Sequence, residues 1–294
     1  MEANRVSQAE TQRLQDIAAA VVDRDSDAPL GVYAFSASSQ GSELAKAVEA
    51  EVFLESFGNS AQQLHAEYSP YDWRSFFFCV IDHRRLMPAG AMRVVIPSER
   101  GVRTKTFDDI ELHWGREASA LTCRNGSRIP IGEIWDIATL AVSRDYRGRA
   151  TSGMVALGLY QAFTMTSQAS GIDWNVAILD AKLYRFGNWH FKNTFAPFDG
   201  LDAAPYLGSA SSIPVWCQLS EWQAKLHDHD RVLHDLVFEA VGFGPALKPL
   251  HVGNSMPIVY DIVAQGEQSH SLIDLRDPMN PAPKTTATSV IPLG

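Results

Sequence analysis

Gly132–Gly153, GEIWDIATLAVSRDYRGRATSG, is the stretch that decides the fold. Its apolar half, Ile134–Val142, reads as a strand. It runs into an Arg/Gly loop of small residues that opens a helix over 152–169. Such a turn leaves backbone N–H groups free at a helix N-terminus, and these form a cradle for a pyrophosphate or a phosphopantetheine arm.

Upstream, apolar residues at helical spacing predict a helix over 6–22, and SELAKAVEAEVFLESF predicts another over 42–57. The segment EYSPYDW reads as a loop. Strands are expected at Ser75–Asp82 and Ala89–Pro97, with a short helix around Asp108–His113. Downstream, Trp174–Asp180 is a strand, Ala181–Phe186 a short helix, Ser212–Leu219 a strand, 220–241 a helix and Pro257–Ala264 a last strand, before an irregular tail from Gln265. The strand–loop–helix–strand unit predicts an α/β or α+β fold, a mixed central sheet with helices on both faces. Three segments are expected: an N-terminal helical segment 1–30, a catalytic domain 31–225, and an extension 226–294.

The 294 residues carry a net charge of −9, which argues against nucleic acid as the main partner. Cys79, Cys123 and Cys217 are widely spaced and read as free thiols of a reducing compartment. No apolar run suits a membrane helix and the N-terminus lacks a signal h-region, so a cytoplasmic protein without a membrane partner is expected. A Rossmann site is disfavoured because GxGxxG is missing.

The run Val142–Ser152 resembles the acyl-carrier loop of GNAT acyltransferases, Gln/Arg-x-x-Gly-x-Gly/Ala, with Arg147, Ala150 and Ser152 at the motif positions. Three flanking stretches resemble one branch of that superfamily, the acyl-homoserine lactone and N-acyl amino acid synthases. They are AGAMRVVIPSERG (89–101), IWDIATLAV (134–142) and YRFGNWHF with FDGLDAAPYLGSASSIPV (184–215). The likeness covers about residues 42–219. It implies a GNAT-like fold and transfer of an acyl group from an acyl-CoA or acyl-carrier-protein thioester to an amine, without a metal.

The resemblance implies roles residue by residue. Leu140, Ala141 and Val142 would bond the pantetheine arm through their backbone, in a gap between two splayed strands. Arg147, Gly148, Arg149, Ala150, Thr151 and Ser152 would hold the carrier phosphates. Asp72, Arg93 and Thr139 occupy acceptor positions, although Arg93 also reads as a structural ion pair with Asp72 or Asp136. Asp136, with Glu133 nearby, would orient or deprotonate the amine. Residues three apart in a regular strand face opposite sides, so the two do not act as a pair. Tyr184 stands where many GNAT enzymes keep the tyrosine that protonates the leaving thiolate. At other acceptor positions, Glu49 and Thr139 replace family arginines, Asn59 a tryptophan and Ser69 an acid. These departures argue against S-adenosylmethionine and for an amino acid or another small amine.

Other constellations read as structure. His227-Asp-His-Asp230 is a solvated helix face rather than a metal site, His190 a packed or half-buried histidine, and Cys79 a core residue. Trp135, Trp174 and Trp189 are candidates to line an acyl pocket. Two alternatives stay open: an acetyl-CoA-dependent N-acetyltransferase and a non-catalytic module that binds acyl carriers. A homodimer is compatible with the extension.

Overall fold

The computed structural model describes residues 7–97, 104–117, 121, 123–124, 127–128, 133–147, 153–192 and 195–262. The chain opens with helix α1 (Gln8–Val21), strand β1 (Leu30–Ser36) and helices α2 (Ser42–Phe57) and α3 (Ala61–Tyr68). A 3-10 turn, Ser69–Arg74, leads into β2 (Ser75–Asp82) and β3 (Met87–Val95). Helix α4 (Lys105–Trp114) and a two-residue hairpin, β4 (Cys123–Arg124) with β5 (Ser127–Arg128), precede β6 (Ile134–Val142). Then come α5 (Met154–Ala169), β7 (Trp174–Asp180), α6 (Ala181–His190), β8 (Ala196–Pro197), β9 (Ala204–Tyr206) and β10 (Ser209–Gln218). Helices α7 (Leu219–His229) and α8 (Arg231–Phe238), strand β11 (Leu247–Lys248) and a helix over 252–262, α9, complete it.

One mixed sheet holds the molecule together, in the order β11-β1-β2-β3-β6-β7-β10-β8, with β9 beside β10. Strands β1, β2, β3 and β6 run antiparallel, and α5 then crosses over to bring β7 parallel to β6. This is the mixed sheet with helices on both faces that the GNAT-like reading expects.

The sequence SFFFCVID shows why β2 sits at the centre. Phe76, Phe78 and Val80 face the layer of α5, while Phe77, Cys79 and Ile81 face α1 and α2. Both faces are covered, so the strand reads as a continuous apolar run rather than an alternating one. Each such side chain contributes about 1.5–3 kcal/mol when fully buried.

Helix α5 is apolar nearly all round because it is buried nearly all round. It approaches β3 so closely that a Cβ on Gly90 would lie 2.4 Å from Val155. Its polar residues pin the following segments. Gln161 bonds both the N–H (3.0 Å) and the carbonyl (3.2 Å) of Leu250, and Thr164 Oγ1 donates to the carbonyl of Val237 at 2.6 Å. Phe238, Leu247, Leu250 and Val259 consequently share one core with β2 and α5.

Several elements differ from expectation. Residues 252–262 form a helix, not a strand over 257–264: Ser255, Val259 and Ile262 turn inward at spacings of four and three. The alternation in PIVYDIVA imitates a strand, and the 3.6-residue period wins. Residues 220–241 break into two helices at Asp230, whose φ of −153° leaves the helix and whose carboxylate caps Leu233 at 3.1 Å. The stretch read as a loop, EYSPYDW, is the end of α3 and the 3-10 turn; Ser60 and Gln63 start α3 with a capping box. Strand β1, not anticipated, pairs with β2 over seven residues.

Candidate acyl-transfer site

Strands β6 and β7 are joined by only three registered pairs: Ile134 with Trp174, Trp135 with Asn175, and Asp136 with Val176. Beyond Asp136, β6 continues to Val142 and β7 to Asp180 with no ladder between them among the described residues. Along that gap, the backbone groups of β6 that face away from β3 have no ladder partner on β7 among the described residues, and the Val142 carbonyl is taken by Arg147 Nε at 2.6 Å.

A bulge accounts for the divergence. Across from β3, Arg93 pairs with Thr139 but Val94 pairs with Ile137, which leaves Ala138 as the extra residue. A bulge bends its strand and increases the local twist. The carbonyl of Ala138 accepts the hydroxyl of Tyr68 at 3.3 Å.

The bulge also resets the facing of side chains. Trp135, Ile137, Leu140 and Val142 pack on the α5 side, whereas Thr139 and Ala141 turn to the α2 side. There Thr139 Oγ1 donates to Glu49 on α2. Glu49 also takes a two-pronged bond from Arg93, Nε at 3.1 Å and Nη2 at 2.7 Å, and Arg93 Nη1 reaches Asp72 at 2.8 Å. Lys46 closes the chain on the other oxygen of Asp72 at 3.0 Å. The three acceptor candidates, Asp72, Arg93 and Thr139, thus belong to one buried network organised by Glu49. Burial works against the charge on Arg93, but the Glu49 carboxylate, with Asp72 and Tyr68, outweighs it and holds the guanidinium above its ordinary value.

A second cation, Lys105, sits at the first turn of α4 and is 3% exposed. It is held by Glu67 and by Asp109 at 2.8 Å, and Asp109 also accepts Tyr206. The ring of Tyr68 separates the two knots, with Arg93 4.6 Å and Lys105 5.1 Å from its centroid.

Asp136 is fully buried, and its two oxygens accept the N–H (2.6 Å) and hydroxyl (2.9 Å) of Thr106 in the first turn of α4. Burial pushes its carboxyl up to about 6, against the opposing effect of the Thr106 bonds. Glu133 is exposed at the start of β6 and does not meet Asp136. Tyr184 is half-buried on α6, packed against the α5-side core.

The start of the loop after β6 is strapped from three sides. Arg147 Nη2 lies 3.2 Å from Glu55 on α2, its Nε donates to the Val142 carbonyl at 2.6 Å, and Arg144 lies 3.7 Å from the same Glu55. Tyr146 donates to Asp82 at 2.7 Å, and Ser143 to Glu51 at 3.0 Å. The other loop candidates, Gly148, Arg149, Ala150, Thr151 and Ser152, lie outside the described residues. Helix α5 begins after Gly153, whose φ of 76° favours glycine, and has no side-chain cap bond or first-turn acid.

Two other expectations change. Trp135 is core and Trp189 is 79% exposed, so neither lines a buried acyl pocket. His190 is exposed and meets Phe186 at a tilt of 40° rather than packing inside. Cys79 is core, its thiol pushed up by burial. Among the described residues, no His, Cys, Asp and Glu group is arranged to hold a metal, and no helix is long and apolar enough to cross a membrane.

Reading by sequence missed Lys46, Glu67, Tyr68, Lys105, Asp109 and Tyr206, and took Glu49 only as a departure from the family pattern. A signal existed for Glu49, an acid among the inward positions Ala45, Val48 and Val52 of α2. The others gather only through the tertiary fold.

No family model and no curated protein matches the chain. Among solved structures it is similar to a CoA-dependent acyl-homoserine lactone synthase, BjaI, determined with SAM and isopentyl-CoA, at 15% identity and a TM-score of 0.48, over 82% of this chain and 99% of that one. It is also similar to FeeM, an N-acyl amino acid synthase from uncultured soil microbes, at 13% identity and a TM-score of 0.46, over 67% of this chain and 96% of the other. A spermidine N-acetyltransferase chimera from Vibrio cholerae SpeG and hSSAT gives 9% identity and a TM-score of 0.40, over 66% and 98%.

Proposed function

We propose that the protein is an N-acyltransferase that moves an acyl group from an acyl-CoA or acyl-carrier-protein thioester to the amine of a small molecule such as an amino acid. The observation that carries this reading is the parallel β6–β7 pair, which stops at Asp136 and Val176 and leaves a gap between the strands that lead into and out of α5, a helix with no side-chain cap bond among the described residues.

In this reading the N-terminus of α5, with Arg147, binds the donor's phosphates, and the backbone of Leu140–Val142 bonds the pantetheine amides. A backbone N–H near the bulge meets the oxyanion that develops on the carbonyl as the amine nitrogen attacks. The C–N bond forms, the C–S bond breaks, and Tyr184 delivers a proton to the departing sulfur. The amine's own proton leaves through water toward Glu133 at the start of β6. Asp136, buried and bonded by Thr106, acts as a positioning group that fixes α4 against β6, and Glu133 is the solvent-side carboxylate. The Arg93–Glu49–Thr139 network shapes the acceptor side.

The test is a donor panel, acetyl-CoA, longer acyl-CoA thioesters and acyl-carrier proteins, against a panel of amines, with thiol release and products read by mass spectrometry. Amine-dependent thiol release supports the reading. Absence of turnover, together with no rise in melting temperature with any donor, overturns it, because a ligand that binds only the folded state must stabilise it.

A further inference from the structure

Helix α6 turns an aromatic and cationic face to solvent. At about 100° per residue, one arc carries Arg185, Trp189, Lys182, Phe186, His190 and Leu183, and the opposite arc carries the half-buried Ala181, Tyr184, Gly187 and Asn188. Leu183 is 37%, Phe186 53% and Trp189 79% exposed, three of the eight exposed large hydrophobic side chains among the described residues. No residue of the helix is fully buried.

We propose that this face is a docking surface for an anionic lipid bilayer, so that the protein works as a peripheral membrane protein. The inference stands on α6 and does not depend on the acyl-transfer reading.

Charge complementarity points to the occupant. No Asp or Glu occurs between Asp180 and Asp199, while Lys182, Arg185 and Lys192 do, in a chain of net charge −9. Asp180 itself is consumed in capping the helix, accepting Lys182 N–H at 2.8 Å, and in accepting Ser209 Oγ at 2.8 Å. A cationic patch on an acidic protein is drawn to an anionic surface and orients the molecule on it.

The form of the patch favours lipid over an acidic protein. Its side chains stand on the convex outside of a single helix, with tryptophan and phenylalanine between the cations. That is the pattern of a helix lying in the headgroup region with its rings in the acyl boundary and its cations among the phosphates. The helix is held rigidly for such a role. Asp180 fixes its start; beyond its end Phe191 packs on Tyr160 at 4.7 Å, and the Phe191 carbonyl accepts Trp222 Nε1 at 3.2 Å. Because α6 directly follows β7 at the open end of the strand pair, docking would set that opening near the bilayer.

The test is co-sedimentation of the full chain with vesicles of phosphatidylcholine alone or with about 30% phosphatidylglycerol. Binding to the anionic vesicles, reduced by added salt, is expected. It should fall roughly tenfold or more in Phe186→Ser/Trp189→Ser and in Lys182→Glu/Arg185→Glu. These positions are exposed, and an unchanged thermal melt shows that each variant folds. The proposal is overturned by failure to bind anionic vesicles or by binding that neither variant weakens. It is likewise overturned if the two variants disrupt only a complex with an acidic carrier protein.

Discussion

Asp136 and Thr139, three residues apart in β6, turn away from the α5-side core together because Ala138 bulges between them. In a regular strand they would face opposite sides. The extra residue keeps Asp136 at the first turn of α4 while handing Thr139 to Glu49, and it marks where β6 leaves β7. One irregularity therefore sets both the Glu49 network on one face of β6 and the gap along its edge toward β7.

Glu49 is expected to be the most sensitive member of the network. Arg93 is 4% exposed, and Glu49→Ala would leave its Nε and Nη2 without their carboxylate. Breaking a buried pair from one side costs about 3–5 kcal/mol. Glu49→Gln keeps the shape and one acceptor and should cost about half as much. Urea unfolding checks this, and a loss below about 1 kcal/mol for Glu49→Ala would mean that Asp72 and water satisfy Arg93 on their own.

Much of this architecture was legible because it rests on local pattern. Ile134–Val142 and Trp174–Asp180 read as strands from their apolar runs, and the observed boundaries agree. The sequence leaves Arg93 open between an ion pair with Asp72 or Asp136 and contact with an acceptor, and the bond observed is the one to Asp72. What stayed hidden depends on facts that no local pattern carries. The bulge at Ala138 is written in the register with β3, not in the composition of β6. Lys105 joins Glu67, 38 residues away, and Tyr206 joins Asp109 across 97 residues. Helix α9 was misread because PIVYDIVA satisfies two periods at once, and its packing against α5, through Ser255 beside Thr166, selects the helical one.

Asp136 predicts a pH dependence with a definite sign. Its folded-state value, about 6, lies above the ordinary 3.8. Between those values the folded chain keeps a proton that the unfolded chain has released, so this group lowers stability as pH rises from about 4 to 6. Below that window both states are protonated, and above it the cost is constant. The gap corresponds to roughly 3 kcal/mol. Asp136→Asn does not titrate, so its stability relative to wild type should improve by about that amount between pH 4 and pH 7. Unfolding free energies at both pH values measure it, and parallel pH profiles for the two proteins would contradict it.

If Arg147 holds the donor's phosphates as proposed, Glu55 would compete with them for its guanidinium. The carboxylate lies 3.2 Å from Arg147 and 3.7 Å from Arg144 at the end of β6. Neutralising it in Glu55→Gln should tighten CoA binding two- to fivefold at low salt, the modest size expected for a solvent-exposed charge. The gain should vanish as salt screens it. Arg147→Glu should weaken binding about tenfold. Calorimetric titration at two salt concentrations checks both, and equal affinities in all three proteins would place the phosphates elsewhere.

Tyr184 separates chemistry from packing. It is half-buried on α6 and contributes to the edge of the core through its ring, which Tyr184→Phe retains. A purely structural tyrosine would therefore leave both the melting temperature and turnover nearly unchanged. A proton donor to the leaving sulfur behaves otherwise: kcat falls by about 100-fold or more while the donor's KM holds, and the alkaline limb of the pH–rate profile disappears. The loss should also shrink for a donor whose thiol is more acidic, since a better leaving group has less need of protonation. A uniform loss across donors, with the alkaline limb intact, would assign the hydroxyl to binding instead.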